Sequence, residues 1–271
     1  MSVAANPNAG DHDFASKTDR GRVREVNEDF CATFTALDCS GVVVADGVSS
    51  FHGGDTASRV AVEVLIGAFL AEPSSQSPGT RLYRAVQRAN ITVHDQALDN
   101  PELRSMATTL TALVLRGDEL SAVHVGDCRL YSLRAGELRQ LTRDHTVAAE
   151  RTRLGILSKA RARNHPDRST LTRCLGRELM CRVDRLKTRV CAGDVLLVCS
   201  DGVHGLLDDR EIAALSDSTT ASLACDRLIG AANDRGAPDN VTAAVVRVSQ
   251  ASGVGAREPG PFSALWHRIW R

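Results

Sequence analysis

Residues 108–141 read TTLTALVLRGDELSAVHVGDCRLYSLRAGELRQL. Four short apolar segments, 108–115, 120–125, 130–133 and 137–141, are split by turns that contain Gly117, Gly126 and Gly136. Segments of this length between glycine turns are strands rather than helices, and in succession they predict an antiparallel meander. On the N-terminal side, apolar residues at three-and-four spacing predict helices over 55–70 (Ala57, Val60, Ala61, Val64, Leu65, Ala68) and 80–98 (Leu82, Ala85, Val86, Ala89, Val93). Before these, 30–37 and 42–45 form a hairpin pair about the turn Asp38-Cys39-Ser40-Gly41, and 14–18 is a strand turned by Gly21. On the C-terminal side, 144–173 is polar and irregular, and 183–188 and 195–200 are strands. Helices follow over 208–215 and 219–233, with Asp and Thr as N-caps, and 241–248 closes the domain as a strand. Strands outnumber helices, and the helices come in pairs between strand groups. The fold class is therefore α+β, with helices covering antiparallel sheets, rather than alternating βαβ.

Composition narrows the function. The chain has 271 residues, 43% of them apolar, enough for a sizeable core. Lysine plus arginine equals aspartate plus glutamate at 33 each, so no net charge draws the chain to nucleic acid. Aromatic residues are 4%, too few for stacking platforms. Eight scattered cysteines contain no C-x-x-C pair and read as buried thiols in a reducing compartment. No basic stretch followed by an apolar run opens the chain, and no transmembrane segment is present, so the expected location is cytoplasmic. Residues 1–12 form a flexible N-terminus and 13–249 the domain. Residues 250–271 are a linker and an amphipathic segment in which Phe262, Leu265, Trp266 and Ile269 share a helical face. That segment is too short to be a stable free helix, so it docks on its own domain, on a partner or on a membrane surface, the first two being preferred.

The chemistry lies where the aspartates fall. Val42-Val43-Val44-Ala45 runs into Asp46-Gly47, and 195–200 runs into Asp201-Gly202. The strand 122–125 runs into Gly126-Asp127, and Asp239-Asn240 directly precedes the strand from Val241. Asp-Gly is a common turn dipeptide, so any one of these is ordinary turn chemistry. Four at the ends of core strands suggest convergence. Carboxylates brought together repel, and desolvation sharpens the conflict. Hard divalent cations resolve it, and oxygen-only ligands favour Mg²⁺ or Mn²⁺ over zinc. A second cluster, Arg24-Glu25-Val26-Asn27-Glu28-Asp29, places Glu28 and Asp29 on opposite sides of an extended segment. Arg24 is a planar cation suited to gripping phosphate. Taken alone, the cluster reads equally as a solvated charged loop.

These segments, in this order, resemble the metal-dependent protein phosphatase family of type 2C over roughly 14–248. The opening motif is Gly21-Arg22-Val23-Arg24-Glu25-Val26-Asn27-Glu28-Asp29. Val44-Ala45-Asp46-Gly47 with Gly54-Asp55-Thr56-Ala57-Ser58 resembles the second. Thr108-Thr109-Leu110 and Val125-Gly126-Asp127-Cys128-Arg129 resemble the central pair. Leu141-Thr142-Arg143-Asp144-His145 and Leu175-Gly176 flank the family's flap, and Cys199-Ser200-Asp201-Gly202 and Asp239-Asn240-Val241-Thr242 resemble the last two motifs.

The resemblance implies two antiparallel sheets packed as a sandwich and flanked by helices on both sides, with metals in a cleft at one end. It implies hydrolysis of phosphoserine and phosphothreonine on proteins by a hydroxide that bridges two Mg²⁺ or Mn²⁺ ions. Asp46 would bridge the ions, with the Gly47 carbonyl as a further ligand. Asp201 and Asp239 would complete one shell, Asp29 would orient or ligate with Glu28 in support, and Asp127 with Asp201 would hold a weaker third ion. Arg24 would bind the substrate phosphate. The expected partners are phosphoprotein substrates and an opposing Ser/Thr kinase. Two alternatives stand beside this reading: a dead-site binding module, and a dedicated phosphatase of a sigma-factor control system, whose relatives lack the Asn-Glu-Asp opening present here. Three departures bear on the site. Val48-Ser49-Ser50 replaces the usual Met-Gly-Gly. Val48 stands where some members carry a His general acid, so water is expected to donate that proton, with His52 as a weaker candidate. Cys128 replaces Ser and offers an oxidisable thiol. Seven basic residues over 150–173 (Arg151, Arg153, Lys159, Arg161, Arg163, Arg168, Arg173) either steer acidic substrates or form a solvated surface.

Overall fold

The computed structural model describes residues 12–48 and 53–249. The expectations for Ser49, Ser50, His52 and the tryptophan segment lie outside the described residues. Within them, ten strands form two antiparallel five-stranded sheets. The first sheet runs in the order β1 (Asp13–Asp19), β10 (Val241–Arg247), β9 (Val195–Cys199), β6 (Arg129–Arg134), β7 (Glu137–Gln140). The second runs β2 (Asp29–Thr35), β3 (Ser40–Asp46), β4 (Leu110–Arg116), β5 (Glu119–Val125), β8 (Asp184–Arg189). Helices α1 (Gly54–Ala71) and α2 (Pro78–Asp99) cover the second sheet; α6 (Asp209–Ser216) and α7 (Ala221–Asp234) cover the first. Among the described residues no helix is long and apolar enough to cross a membrane.

Three apolar layers hold this arrangement. Val42, Val44 and Leu113 meet Leu196, Val198 and Val246 between the sheets. Val43 and Ala45 point the other way, onto Ala61 and Leu65 of α1 and Val86 of α2. Leu197 and Val245 face Ile212 and Leu228 on the opposite side of the molecule. The central strands are thus buried on both faces, which explains why they read as unbroken apolar runs instead of alternating. Each fully buried Val or Leu contributes roughly 1.5–3 kcal/mol. The helices begin where their caps place them. Ser77 Oγ accepts from the Thr80 N–H ahead of α2, and Asp208 and Glu211 form a reciprocal capping box on α6. The cap of α7 is Thr220, one residue beyond the expected start.

The meander expected over 108–141 is corrected. β4 pairs with β5 in one sheet, and β6 pairs with β7 in the other. The chain crosses between sheets at Gly126, whose φ is 106°, and a Cβ there would stand 2.4 Å from the Thr109 Cβ. A glycine between two apolar runs looks the same in sequence whether it makes a hairpin or a crossover. The hairpin turn also shifts: the Ala36 N–H donates to the Cys39 carbonyl (2.8 Å), so the turn occupies 36–39. The stretch 144–173 is not wholly irregular. It contains α3 (Val147–Arg153), capped by Thr146, and α4 (Lys159–Ala162), capped by Ser158. Both are too short to leave a periodic apolar stripe. A single further turn, α5 (Asp201–His204), follows β9.

Candidate metal centre

The antiparallel register of β2 and β3 pairs Asp29 directly with Asp46. A pair of this kind presents its side chains on one face, about 4.5–5.5 Å apart. The Asp46 backbone is fixed from β4: its N–H donates to Thr109 Oγ1 (3.1 Å), and its carbonyl accepts from the Thr109 N–H (2.8 Å) and Thr108 Oγ1 (2.9 Å). The Gly47 N–H donates to the Glu28 carbonyl (3.1 Å). A Cβ at Gly47 would stand 2.3 Å from the Gly54 carbonyl, so no larger residue fits. The Glu28 carboxylate lies against Gly54, next to Gly47.

The remaining carboxylates come from loops pressed onto one another. Asn240 Nδ2 donates to the carbonyls of Arg20 (2.9 Å) and Val26 (3.0 Å), and its Oδ1 accepts from the Glu28 N–H (2.9 Å). This lays 20–28 against the start of β10, and Arg24 Nη2 donates to Asp239 Oδ2 at 2.8 Å. A Cβ at Gly202 would stand 1.9 Å from the Asn240 carbonyl, so the turn carrying Asp201 rests on the turn carrying Asp239. Asp29 Oδ2 accepts from Thr242 Oγ1 (2.6 Å) and Ser200 Oγ (2.8 Å), which joins the two sheets at the site.

Electrostatics mark the cluster as uncompensated. Burial pushes Asp29 up to about 7 despite the bonds from Thr242 and Ser200. Withdrawal from water, then the charge of Asp239, raises Asp201 to about 6, against the pull of Arg24, Arg168 and Arg129. Asp46 rises well above the carboxylate range through burial and then through Asp29, Asp201, Asp127 and Asp239. Asp127 rises likewise, through burial and then Asp201. The charges of Asp29, Asp127, Asp201 and Asp239 thus all reach Asp46.

The donor chemistry of this set fits hard divalent ions. Every donor is oxygen, and the repulsion between desolvated carboxylates is the kind that such ions relieve. Among the described residues, no three His, Cys, Asp or Glu side chains surround one point closely enough to hold an ion as they stand. Asp239 is turned onto Arg24, and Asp29 onto Ser200 and Thr242.

The profile of the family Protein phosphatase 2C matches residues 18–239. The chain belongs to the protein phosphatase 2C family. The serine/threonine phosphatase stp of Listeria monocytogenes is 36% identical over 235 residues, which is 85% of this chain and 93% of that protein. The crystal structure of the PPM Ser-Thr phosphatase MsPP from Mycobacterium smegmatis, in complex with cacodylate, has a TM-score of 0.76 and 36% identity, covering 87% of this chain and 98% of that one. The catalytic domain of the phosphatase PstP, solved with two manganese ions, has a TM-score of 0.76 and 32% identity, covering 88% and 99%.

Against other type 2C phosphatases, the departures at this site have structural answers. The Val48 N–H donates to the Ala107 carbonyl (3.0 Å), which fixes the start of the altered loop. Cys128 is fully buried with its thiol 3.2 Å from Thr109 Oγ1. Burial, then Asp46, pushes that thiol well up, so the expectation of an oxidisable Cys128 is corrected. In the flap, Arg151 pairs with Asp167 (2.9 Å), Arg153 with Glu150 (2.8 Å) and Arg173 with Asp184 (2.9 Å). Two of the seven basic residues are thus neutralised within the flap and a third by β8. Sequence reasoning gave no role to Ser200, Thr242 or Asn240. All three sit beside the aspartates in the motifs, but their partners are 171 to 220 residues away.

Proposed function

We propose that residues 13–249 of this chain hydrolyse phosphoserine and phosphothreonine on proteins, with two Mg²⁺ or Mn²⁺ ions and a weaker third. The observation that carries this reading is a set of four buried aspartates whose charges repel, Asp29, Asp46, Asp127 and Asp201, at the ends of strands from both sheets, with the half-buried Asp239 and Arg24 beside them. Asp46, Asp29, Asp201, Asp239 and the Gly47 carbonyl would hold the two ions, with Glu28 in support, and Asp127 with Asp201 the third. When bound, such ions supply an activated water and neutralise charge on the phosphoryl oxygens. The chain's own contribution is positional. Thr108 and Thr109 fix the Asp46 backbone, and Ser200 and Thr242 fix Asp29. Asn240 holds the segment that carries Arg24. Arg24 is about one-third exposed (35%) and offers a planar fork to the substrate phosphate. With Val48 after Gly47, the leaving group takes its proton from water. The presence of all these carboxylates favours catalysis over a silent binding module.

The substrates are phosphoproteins opposed by a Ser/Thr kinase. The eight free cysteines support action in the reducing cytoplasm. The test is phosphate release from phosphothreonine peptides with Mn²⁺ and with chelator, comparing wild type with Asp201→Asn. Activity should need the metal and vanish in the variant. Retained activity in Asp201→Asn removes the site assignment.

A further inference from the structure

Asp127 differs from the other carboxylates in how its backbone is held. The Gly126 N–H before it donates to His145 Nδ1 at 3.1 Å, and the Asp127 carbonyl faces His204 Nε2 at 3.0 Å. A backbone N–H only donates and a carbonyl only accepts, so both ring tautomers are fixed. His145 must carry its proton on Nε2, which lies 3.2 Å from Asp184 Oδ2. Arg173 Nη1, 3.1 Å from the same nitrogen, has only donors, and its acceptor is Asp184 Oδ1 at 2.9 Å. His204 must carry a proton on Nε2.

The two histidines arrive from different parts of the fold. His145 is buried. Its N–H donates to the Gly126 carbonyl (2.7 Å), and its carbonyl accepts from the Thr172 N–H (2.8 Å) at the returning arm of the flap. His204 closes α5, the single turn that opens with Asp201. One turn of helix therefore carries a carboxylate at its start and a bond to the Asp127 backbone at its end. Asp201 and Asp127 repel each other, and Gly126 gives the loop no side chain of its own to pack. Thr111 Oγ1 anchors the far side of the loop at the Cys128 carbonyl (3.0 Å), and the two histidines hold the backbone at Gly126 and Asp127 against that repulsion.

We infer that His145 and His204 are positioning residues for Asp127, gripping the Gly126–Asp127 backbone from the flap side and from α5. This rests on Asp127 serving as a metal ligand, as proposed above. Neither histidine touches substrate; each acts through Asp127.

The test is Mn²⁺ binding to the full chain by calorimetry, alongside kcat and KM on a phosphothreonine peptide over a range of Mn²⁺ concentrations. Asp127→Asn should abolish the weakest class of Mn²⁺ sites. His145→Leu and His204→Leu should weaken that same class roughly 10- to 100-fold. They should lower kcat at limiting Mn²⁺ and leave the peptide KM within about 2-fold, since no contact to substrate is removed. His204→Gln, with an amide donor near the Nε2 position, and His145→Asn, with an amide acceptor near Nδ1, should restore most of the loss. His204→Asn and His145→Gln place the amide at the wrong reach and should not. If the leucine variants fail to fold, the matched and mismatched amides decide the question in folded protein. If Asp127→Asn loses the weak sites while both leucine variants, or the mismatched amides, bind Mn²⁺ as wild type does, the clamp is overturned and the site reading stands. If Asp127→Asn binds as wild type does, both fall.

Discussion

Strand β9 has an aspartate just before it and another just after it, and the fold treats the two in opposite ways. Asp194, before the strand, is 1% exposed. Arg134 Nε and Nη2 donate to its two oxygens at 2.7 and 2.6 Å, and the Cys191 N–H donates at 2.8 Å. Asp201, after the strand, faces Asp239, Asp127 and Asp46, and the nearby arginines do not offset them. The same chain supplies a two-point arginine fork at one end and withholds it at the other. The carboxylate before β9 is neutralised from within the fold; those after it stay raised by burial and by one another.

Breaking the comparison at the Asp201 end should give the largest effect. Asp201→Asn or Asp46→Asn should lower Mn²⁺-dependent phosphate release by roughly 10³-fold or more. The melting temperature of the metal-free protein should rise, because one repelling charge is gone. Breaking the other end should do the reverse. Arg134→Leu leaves Asp194 buried beside a lost cation and should cost about 3 kcal/mol in urea unfolding, with kcat at saturating Mn²⁺ unchanged. An activity loss there comparable to Asp201→Asn would erase the distinction.

A pH series sharpens it. Asp29 at about 7 and Asp201 at about 6 lie above their unfolded values, near 3.8. The folded, metal-free state therefore binds more protons than the unfolded state between about pH 4 and 7. Stability is fully present below the unfolded values and falls as pH rises through the folded ones. With chelator, these two aspartates should lower unfolding free energy by roughly 4 kcal/mol from pH 5 to pH 8. Burial holds His124 at about 4 and His204 at about 3, and they oppose that fall by a similar amount, so the aspartates are read as the difference in slope between wild type and Asp29→Asn. Mn²⁺ should reverse that difference, because its ligands must be deprotonated. Equal chelated slopes in the two proteins would mean the cluster is already compensated. The smallest effect belongs to Ser200→Ala, which removes one of two hydroxyl donors from Asp29. It should raise the Mn²⁺ concentration for half-activation about 3- to 10-fold, as measured by activity titration.

Much of this contrast was legible before the structure. The unbroken runs before Asp46 and Asp201 read as core strands, and the structure buries them on both faces. The α+β class followed from the grouping of strands and helices. What sequence reasoning missed depends on long-range geometry. The division of 108–141 between two sheets turns on the φ of Gly126, which no local pattern encodes. Ser200 and Thr242 sit next to the motif aspartates but serve Asp29, across the sandwich. The flap helices are one or two turns long and carry no stripe. The pairing of Asp194 with Arg134 was invisible because Arg134 ends β6 and Asp194 precedes its neighbour β9, 60 residues away.

The contact at Gly202 has a consequence for engineering. Because the Asn240 carbonyl occupies the space of a missing Cβ, the turns bearing Asp201 and Asp239 touch main chain to main chain. Their separation is set by atomic radii rather than by any side chain a designer would exchange. Repacking the apolar layers of either sheet can thus change how well the protein survives heat while the gap between those two carboxylates stays constant.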